Sequence, residues 1–181
     1  MLVHLTWKLE QQPVGDNKVL KLYFDGENLK EGNVVGLLLV SPKGCTIPLS
    51  FKLELEENNN VAEYEALFLG LQTTRNLKID CLIVYGDSKL VVRKIRNQCH
   101  ARHPRLRTYR NEVWDLIDSS FLTFNTHFLP REENTMADSL AIASSTFMPP
   151  QNPLLRYEVE VRCRPSILDN IKHWKVFEDD K

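Results

Sequence analysis

The stretch VLKLYFDGENLKEGNVVGLLLV, residues 19–40, decides the architecture. Its first eight residues, VLKLYFDG, are rich in Val, Leu, Tyr and Phe and stop at Asp-Gly, which marks the end of a strand. Its last seven, VVGLLLV, are apolar without a break, as a strand buried on both faces must be. Ser-Pro-Lys-Gly at 41–44 then turns the chain. Residues 45–55 return with loose alternation and end at EENNN (56–60), a run of helix-capping side chains. Three antiparallel strands are expected to open the molecule.

Beyond residue 60 the period changes. Apolar residues recur at helical spacing over 61–75, and a short apolar run at 82–85 stops at Gly86-Asp87-Ser88, predicting a helix and then a strand. Residues 90–95 read as a short helix. Pro104 opens another, whose Leu106, Tyr109, Val113, Leu116 and Ile117 form one stripe. Leu122, Phe124 and Phe128 alternate with Thr123, Asn125 and His127, the pattern of an edge strand with one wet face. A last helix spans 136–147. The order βββαβααβα predicts a meander joined through a crossover helix to a strand parallel to the first, hence an α/β protein with a mixed five-stranded sheet and helices on both faces. MPPQNP (148–153) reads as a linker. The remaining 28 residues hold a short strand (156–162) and a short helix (167–174), too little for a second core.

Composition bounds the function. With 181 residues, 43% apolar and 26% charged, the chain is one domain plus attached sequence, which excludes a disordered, collagenous or disulfide-scaffold protein. The longest apolar run, 34–40, is far short of the roughly 20 residues of a membrane-spanning helix. His4, Lys8 and Glu10 interrupt any export signal in the first twelve residues, so the chain is expected not to be secreted. Cys45, Cys81, Cys99 and Cys163 form no C-x-x-C pair and read as ordinary thiols. Net charge is −1, yet residues 88–111 carry Lys89, Arg93, Lys94, Arg96, Arg102, Arg105, Arg107 and Arg110 with His100 and His103 and no acid. That stripe suits phosphate tracking as well as it suits a solvated helix face.

Four acids stand in informative places. Asp25 and Asp87 each close an apolar strand, where open α/β sheets put their ligands, although turn chemistry and helix capping explain either alone. Glu63 shares a helix face with Leu67 and Gly70, so it aims inward, whereas Glu65 and Gln72 are expected to point elsewhere. Asp138 begins the last helix beside Ala137, Ala141 and Ile142, where an acid also suits the helix dipole. Four converging carboxylates need a counter-charge. An all-oxygen site favours Mg²⁺ or Mn²⁺, and Mg²⁺ commonly shares phosphate oxygens, which points to phosphoryl transfer.

The pieces YFDG (23–26), NNVAEYEAL (59–67), VYGDSKLVV (84–92) and PREENTMADSLA (130–141) resemble, in order and spacing, the ribonuclease H family, specifically the RNase H domain of plant Ty3/gypsy-type retrotransposon polyproteins. RPSILDNIKHWKVFEDD (164–180) resembles the segment that precedes integrase there. The resemblance implies an RNase H-like fold over 19–147, an N-terminal arm at 1–18 and a linker and tail at 148–181. It implies that Asp25, Glu63, Asp87 and Asp138 are catalytic ligands of two Mg²⁺ ions, replaceable by Mn²⁺. Asp25 would bridge the two. Asp138 would serve the ion that activates water, and Glu63 and Asp87 the ion at the leaving oxygen.

By the same resemblance the substrate is the RNA strand of an RNA/DNA hybrid, cut internally to leave 5′-phosphate and 3′-hydroxyl ends. The 2′-hydroxyls in the wide minor groove supply the discrimination. Gly26, Asn59, Asn60, Ser88, Lys89, Arg93, Arg96, Arg105 and Arg131 are the expected nucleic-acid contacts. Glu27, Lys89 and the loop Pro130-Arg131-Glu132-Glu133-Asn134 depart from the family pattern, and Glu27 adds a carboxylate beside the metal site. A catalytically impaired module that binds nucleic acid without cutting therefore stays open. So do a 3′ to 5′ exonuclease, which Asp25-Gly26-Glu27 superficially fits, and a structural tether acting through the tail. The expected partners are the hybrid and neighbouring reverse transcriptase and integrase domains, with no membrane. A monomer in the cytoplasm or nucleus is expected.

Overall fold

The computed structural model describes residues 19–30, 32–53, 58–96, 104–146, 161–162 and 166–167. β1 (Leu20–Leu29), β2 (Gly32–Val40) and β3 (Thr46–Leu53) form the expected antiparallel meander. α1 (Asn59–Asn76) crosses over to β4 (Cys81–Gly86), parallel to β1. α2 (Lys89–Ile95) and α3 (Pro104–Ser120) lead to β5 (Thr123–Phe128), parallel to β4. A single 3-10 turn at Arg131–Glu133 precedes α4 (Thr135–Thr146).

The five expected strands make the mixed sheet, and β6 (Val161–Arg162) adds a sixth along β3, giving the order β5-β4-β1-β2-β3-β6. The earlier part of the strand expected at 156–162 lies outside the described residues, as do residues 168–174 of the expected tail helix.

Alternation along the strands divides the sheet into two faces. Leu20, Leu22 and Phe24 of β1 and Val35, Leu37 and Leu39 of β2 join Val61, Tyr64, Leu67 and Leu71 of α1 in one core, which the stripe Leu106, Tyr109, Val113 and Leu116 of α3 completes. α4 covers the opposite face over β1, β2 and β3. Asn58 caps α1, its side-chain oxygen accepting from the Val61 N–H at 3.1 Å, and Ser88 caps α2 through the Val91 N–H at 3.4 Å. Within EENNN the capping residue is thus the first asparagine.

β5 is the edge strand expected, but its apolar face is only partly covered. Leu122 precedes the strand and is 86% exposed, and Thr126 is its buried residue. The short helix α2 reaches only that far, and Arg96 at its end donates from Nε to the Thr126 carbonyl at 2.9 Å. Cys45 and Cys81 are free thiols.

Candidate metal centre

Parallel pairing sets two of the acids side by side. Phe24 of β1 lies opposite Gly86 of β4, so the next residues, Asp25 within β1 and Asp87 just past the end of β4, stand at the same level; β1 does not stop at Asp-Gly as expected but runs on to Leu29 through its pairing with β2. Gly26 follows, and a Cβ there would collide with the carbonyl of Ala62. Its absence lets the first turns of α1 lie directly on β1, which delivers Glu63. On the other face Gly36, the cross-strand partner of Asp25, plays the corresponding part for α4. A Cβ at Gly36 would strike the Ala137 carbonyl and the Ala141 nitrogen, so the small-residue surface expected around Asp138 is the seat of the helix that carries it.

The ligand oxygens of Asp25, Glu63 and Asp87 all lie within 4.8 Å of one another. Asp25 Oδ2, Glu63 Oε2 and Asp87 Oδ1 are buried without a hydrogen-bond partner. Burial, the largest cause, pushes the Asp25 carboxyl up to about 7, with the charges of Asp87 and Asp138 adding to it. Burial likewise pushes Glu63 up to about 9, reinforced by Asp25 and Asp87, and raises Asp87. Orphaned oxygens this close are costly unless protonated or bound to a cation, and hard oxygen donors suit a divalent ion such as Mg²⁺ or Mn²⁺. The residues present therefore fit the metal that the sequence resemblance implies.

Asp138 stands apart from the cluster of three. Its Oδ1 accepts from Arg131 Nη2 at 2.7 Å, and the same guanidinium nitrogen lies 3.6 Å from Glu27. That hydrogen bond is the main cause raising the Arg131 pKa, with Asp25 and Glu27 contributing. Glu27 is therefore ion-paired at the mouth of the site. The cleft is lined by Asp25, Gly26, Glu27, Asn59, Glu63, Asp87 and Arg131.

The expected nucleic-acid residues separate into distinct groups. Asn59 and Asn60 are exposed in the first turn of α1, and the Asn59 side-chain oxygen accepts from the Asn28 N–H at 3.0 Å, tying α1 to the β1–β2 hairpin. Lys89 and Arg93 are exposed on α2, with Lys89 Nζ 5.1 Å over the Phe128 ring. Arg105 is half-buried against the Tyr109 ring at 5.4 Å, and Arg110 lies 4.9 Å over Trp114. Arg96 is committed to the Thr126 carbonyl. Lys94, counted in the basic stripe, is 4% exposed. Its place on the inner side of α2, between Val91 and Ile95, takes it off the solvated face. Arg102, His100 and His103 lie outside the described residues. As expected, Tyr109 is core, and Trp114 is half-buried with its Nε1 donating to the Ile95 carbonyl at 3.1 Å. His127 is exposed and stacked on Tyr85.

Sequence reasoning missed three residues. Asn134 is 1% exposed, and its amide donates to the Phe24 carbonyl at 3.0 Å while favouring charge on Asp87, fastening the loop before α4 to the metal-ligand strands. Asn28 donates its amide to Asn33 Oδ1 at 2.7 Å. Glu65 points elsewhere than Glu63, as expected, toward Tyr109 of α3 and Ser166, but it is fully buried there. α1 is covered by the sheet on one side and by α3 on another, so a side chain two residues from Glu63 is enclosed as well.

Residues 23–144 match the family described as reverse transcriptase-like. The chain is 32% identical over 123 residues to a ribonuclease HI of Halobacterium salinarum, covering 66% of this chain and 60% of that protein. It thus spans about three fifths of that relative's length. The crystal structure of RNase H1 from the same organism superposes with a TM-score of 0.67 at 28% identity, over 71% of this chain and 98% of that one. LC11-RNase H1, solved in complex with an RNA/DNA hybrid, gives 0.64 at 26% identity over 71% and 99%.

Proposed function

The chain belongs to the reverse transcriptase-like family, and on that premise we propose that it is a metal-dependent endonuclease that hydrolyses the RNA strand of RNA/DNA hybrids. One observation carries the reading: the carboxylates of Asp25 on β1, Glu63 on α1 and Asp87 just past β4 converge, each with a buried, unpartnered oxygen. A structural ion pair would show a cation among those three oxygens, whereas Arg131 sits beside Asp138 and Glu27.

In this reading Asp25, Glu63 and Asp87 would hold a divalent ion, and Asp138 would help to hold a second. Bound Mg²⁺ or Mn²⁺ would supply Lewis acidity at the phosphodiester and an acidified water. The chain's own residues do the rest. Burial holds the bare Asp25 and Glu63 carboxyls toward their protonated forms, and a bound divalent ion would displace those protons. Asn59 and Asn60 face the minor groove from the end of α1, and Asn59 also holds the hairpin beside the cleft. Lys89 and Arg93 follow the phosphates from α2, with Arg105 on α3. The motif string and the 164–180 segment support a source in a plant Ty3/gypsy-type polyprotein, with reverse transcriptase and integrase as neighbouring domains. Among the described residues no helix is long and apolar enough to cross a membrane, and work on an RNA/DNA hybrid suits the cytoplasm or nucleus.

The pairing of Glu27 with Arg131 favours one second reading, a module that binds the hybrid without cutting it. The deciding experiment offers an end-blocked, RNA-labelled hybrid with Mg²⁺, Mn²⁺ or EDTA. Internal metal-dependent cuts, absent from Asp87→Asn, are the expected result. Binding without cuts under either metal would move the assignment to the second reading.

A further inference from the structure

Glu65 is fully buried in α1 and bears no relation to the carboxylate cluster two residues before it. Its Oε1 accepts from the Tyr109 hydroxyl of α3 and from the Ser166 N–H at 2.8 Å, and its Oε2 accepts from the Ser166 hydroxyl at 2.6 Å. The two oxygens of one carboxylate thus take the backbone and the side chain of a single serine, 101 residues away. Ile167, the next residue, is 6% exposed and belongs to the main core. Upstream, Val161 and Arg162 pair with Lys52 and Leu53, covering the last two residues of the β3 edge. A strand pairing at Val161–Arg162, a carboxylate that takes both donors of Ser166 and a buried Ile167 are three separate contacts.

We propose that the β3 edge, Glu65 and Tyr109 form a peptide-docking site that recognises a serine followed by a branched apolar residue, filled in this chain by Val161–Arg162 and Ser166–Ile167, and that these docked residues lock α3 onto α1. The chemistry is β-augmentation with a polar anchor: main-chain pairing supplies affinity, and Glu65 supplies selectivity for a residue that donates twice. A proline at this position lacks the N–H, and an alanine lacks the hydroxyl. The lock has a mechanical meaning, because Glu65 touches Ser166 and Tyr109 with the same oxygen. Removing the serine loosens the connection between the helix that carries Glu63 and the helix that carries Arg105. On this view the folded unit reaches at least to Ile167 and the segment is part of the domain.

The test uses the full chain with a protease site placed within residues 150–153 and cut after folding. The expected result is that the fragment carrying 161–181 stays bound through gel filtration, and that Ser166→Ala weakens its retention about tenfold or more. Release from the unsubstituted chain, or equal retention of the Ser166→Ala fragment, would overturn the proposal. Hydrogen exchange on the uncut chain provides a readout that does not need the fragment. The Ser166 amide should exchange as slowly as the β3 amides, and Ser166→Ala should speed exchange at residues 104–110 of α3 without changing β1. A Ser166 amide that exchanges at the free-peptide rate, or an unchanged α3, would equally overturn it. None of these readouts depends on hybrid cleavage.

Discussion

Glu63 and Glu65 stand two residues apart on α1, both enclosed, and their surroundings are opposite. Glu65 meets three donors from two other parts of the chain. Glu63 meets two other carboxylates, and its Oε2 has no partner. A buried charge with donors on both oxygens is a structural element, while one without them is held ready for something that arrives later. The same helix thus carries a completed site and an incomplete one. Four experiments bear on that contrast.

The largest effect is expected on chemistry. Asp87→Asn removes one of the three clustered oxygens, and metal-dependent cleavage of a hybrid should fall by more than about a hundredfold, since even indirect partners of a metal site cost about 10- to 100-fold. Hybrid affinity, measured by fluorescence anisotropy in EDTA, should hold or rise because repulsion of phosphate declines. Wild-type cleavage by the mutant would remove Asp87 from the site.

Next in size is Glu65→Ala, which removes the carboxylate that accepts from the Tyr109 hydroxyl and from both Ser166 donors. Urea unfolding at pH 7 should show a loss of about 3 kcal/mol, within the range for abandoning buried hydrogen-bond partners. A loss below about 0.5 kcal/mol, the size of an ordinary surface substitution, would mean that the three bonds contribute little to the fold.

The pH dependence tests the other acid. Burial raises the folded values of Asp25 from 3.8 to about 7 and of Glu63 from 4.5 to about 9. Between the unfolded and folded values the native chain binds more protons than the unfolded chain. The contribution of these two groups to stability is therefore greatest near pH 4 and declines as pH rises toward 9. Thermal melts in EDTA should show that decline, and saturating Mn²⁺ should shrink or reverse it, because the loaded carboxylates no longer hold protons. A melting temperature in EDTA that rises over this range would contradict the burial of uncompensated acids.

The smallest effect has the opposite sign to the second. Glu63→Gln replaces a strained acid with a neutral isostere and should stabilise the metal-free protein by about 1 kcal/mol, or about 3 °C at pH 8. Should it destabilise instead, Glu63 would belong with Glu65 as a satisfied residue.

The legible and illegible parts of the sequence divide along the same line. Asp25 and Asp87 could be found because each ends a run whose composition reads as strand, and Glu63 because helical spacing aligns it with Leu67 and Gly70. Those are local signals. That Glu65 lies on another face than Glu63 is legible from the spacing, but its burial is not, because spacing describes one helix at a time. Its partners, Tyr109 and Ser166, lie 44 and 101 residues away. Lys94 was placed on the solvated stripe for the same reason. The basic run hid a further distinction, because Arg96 serves a carbonyl of β5 while Lys89 and Arg93 remain exposed. Gly36 carried no signal inside VVGLLLV, although it fixes how closely α4, and with it Asp138, approaches the sheet.

Gly26 and Gly36 make the distance between the acids a property of the main chain. Wherever a helix rests on a strand through backbone atoms alone, its standoff does not change when neighbouring side chains are exchanged for others of different bulk. The site is therefore gauged by two missing methyl groups. Methylating either glycine would act like a shim under the helix, altering the gap between ligands without touching a ligand.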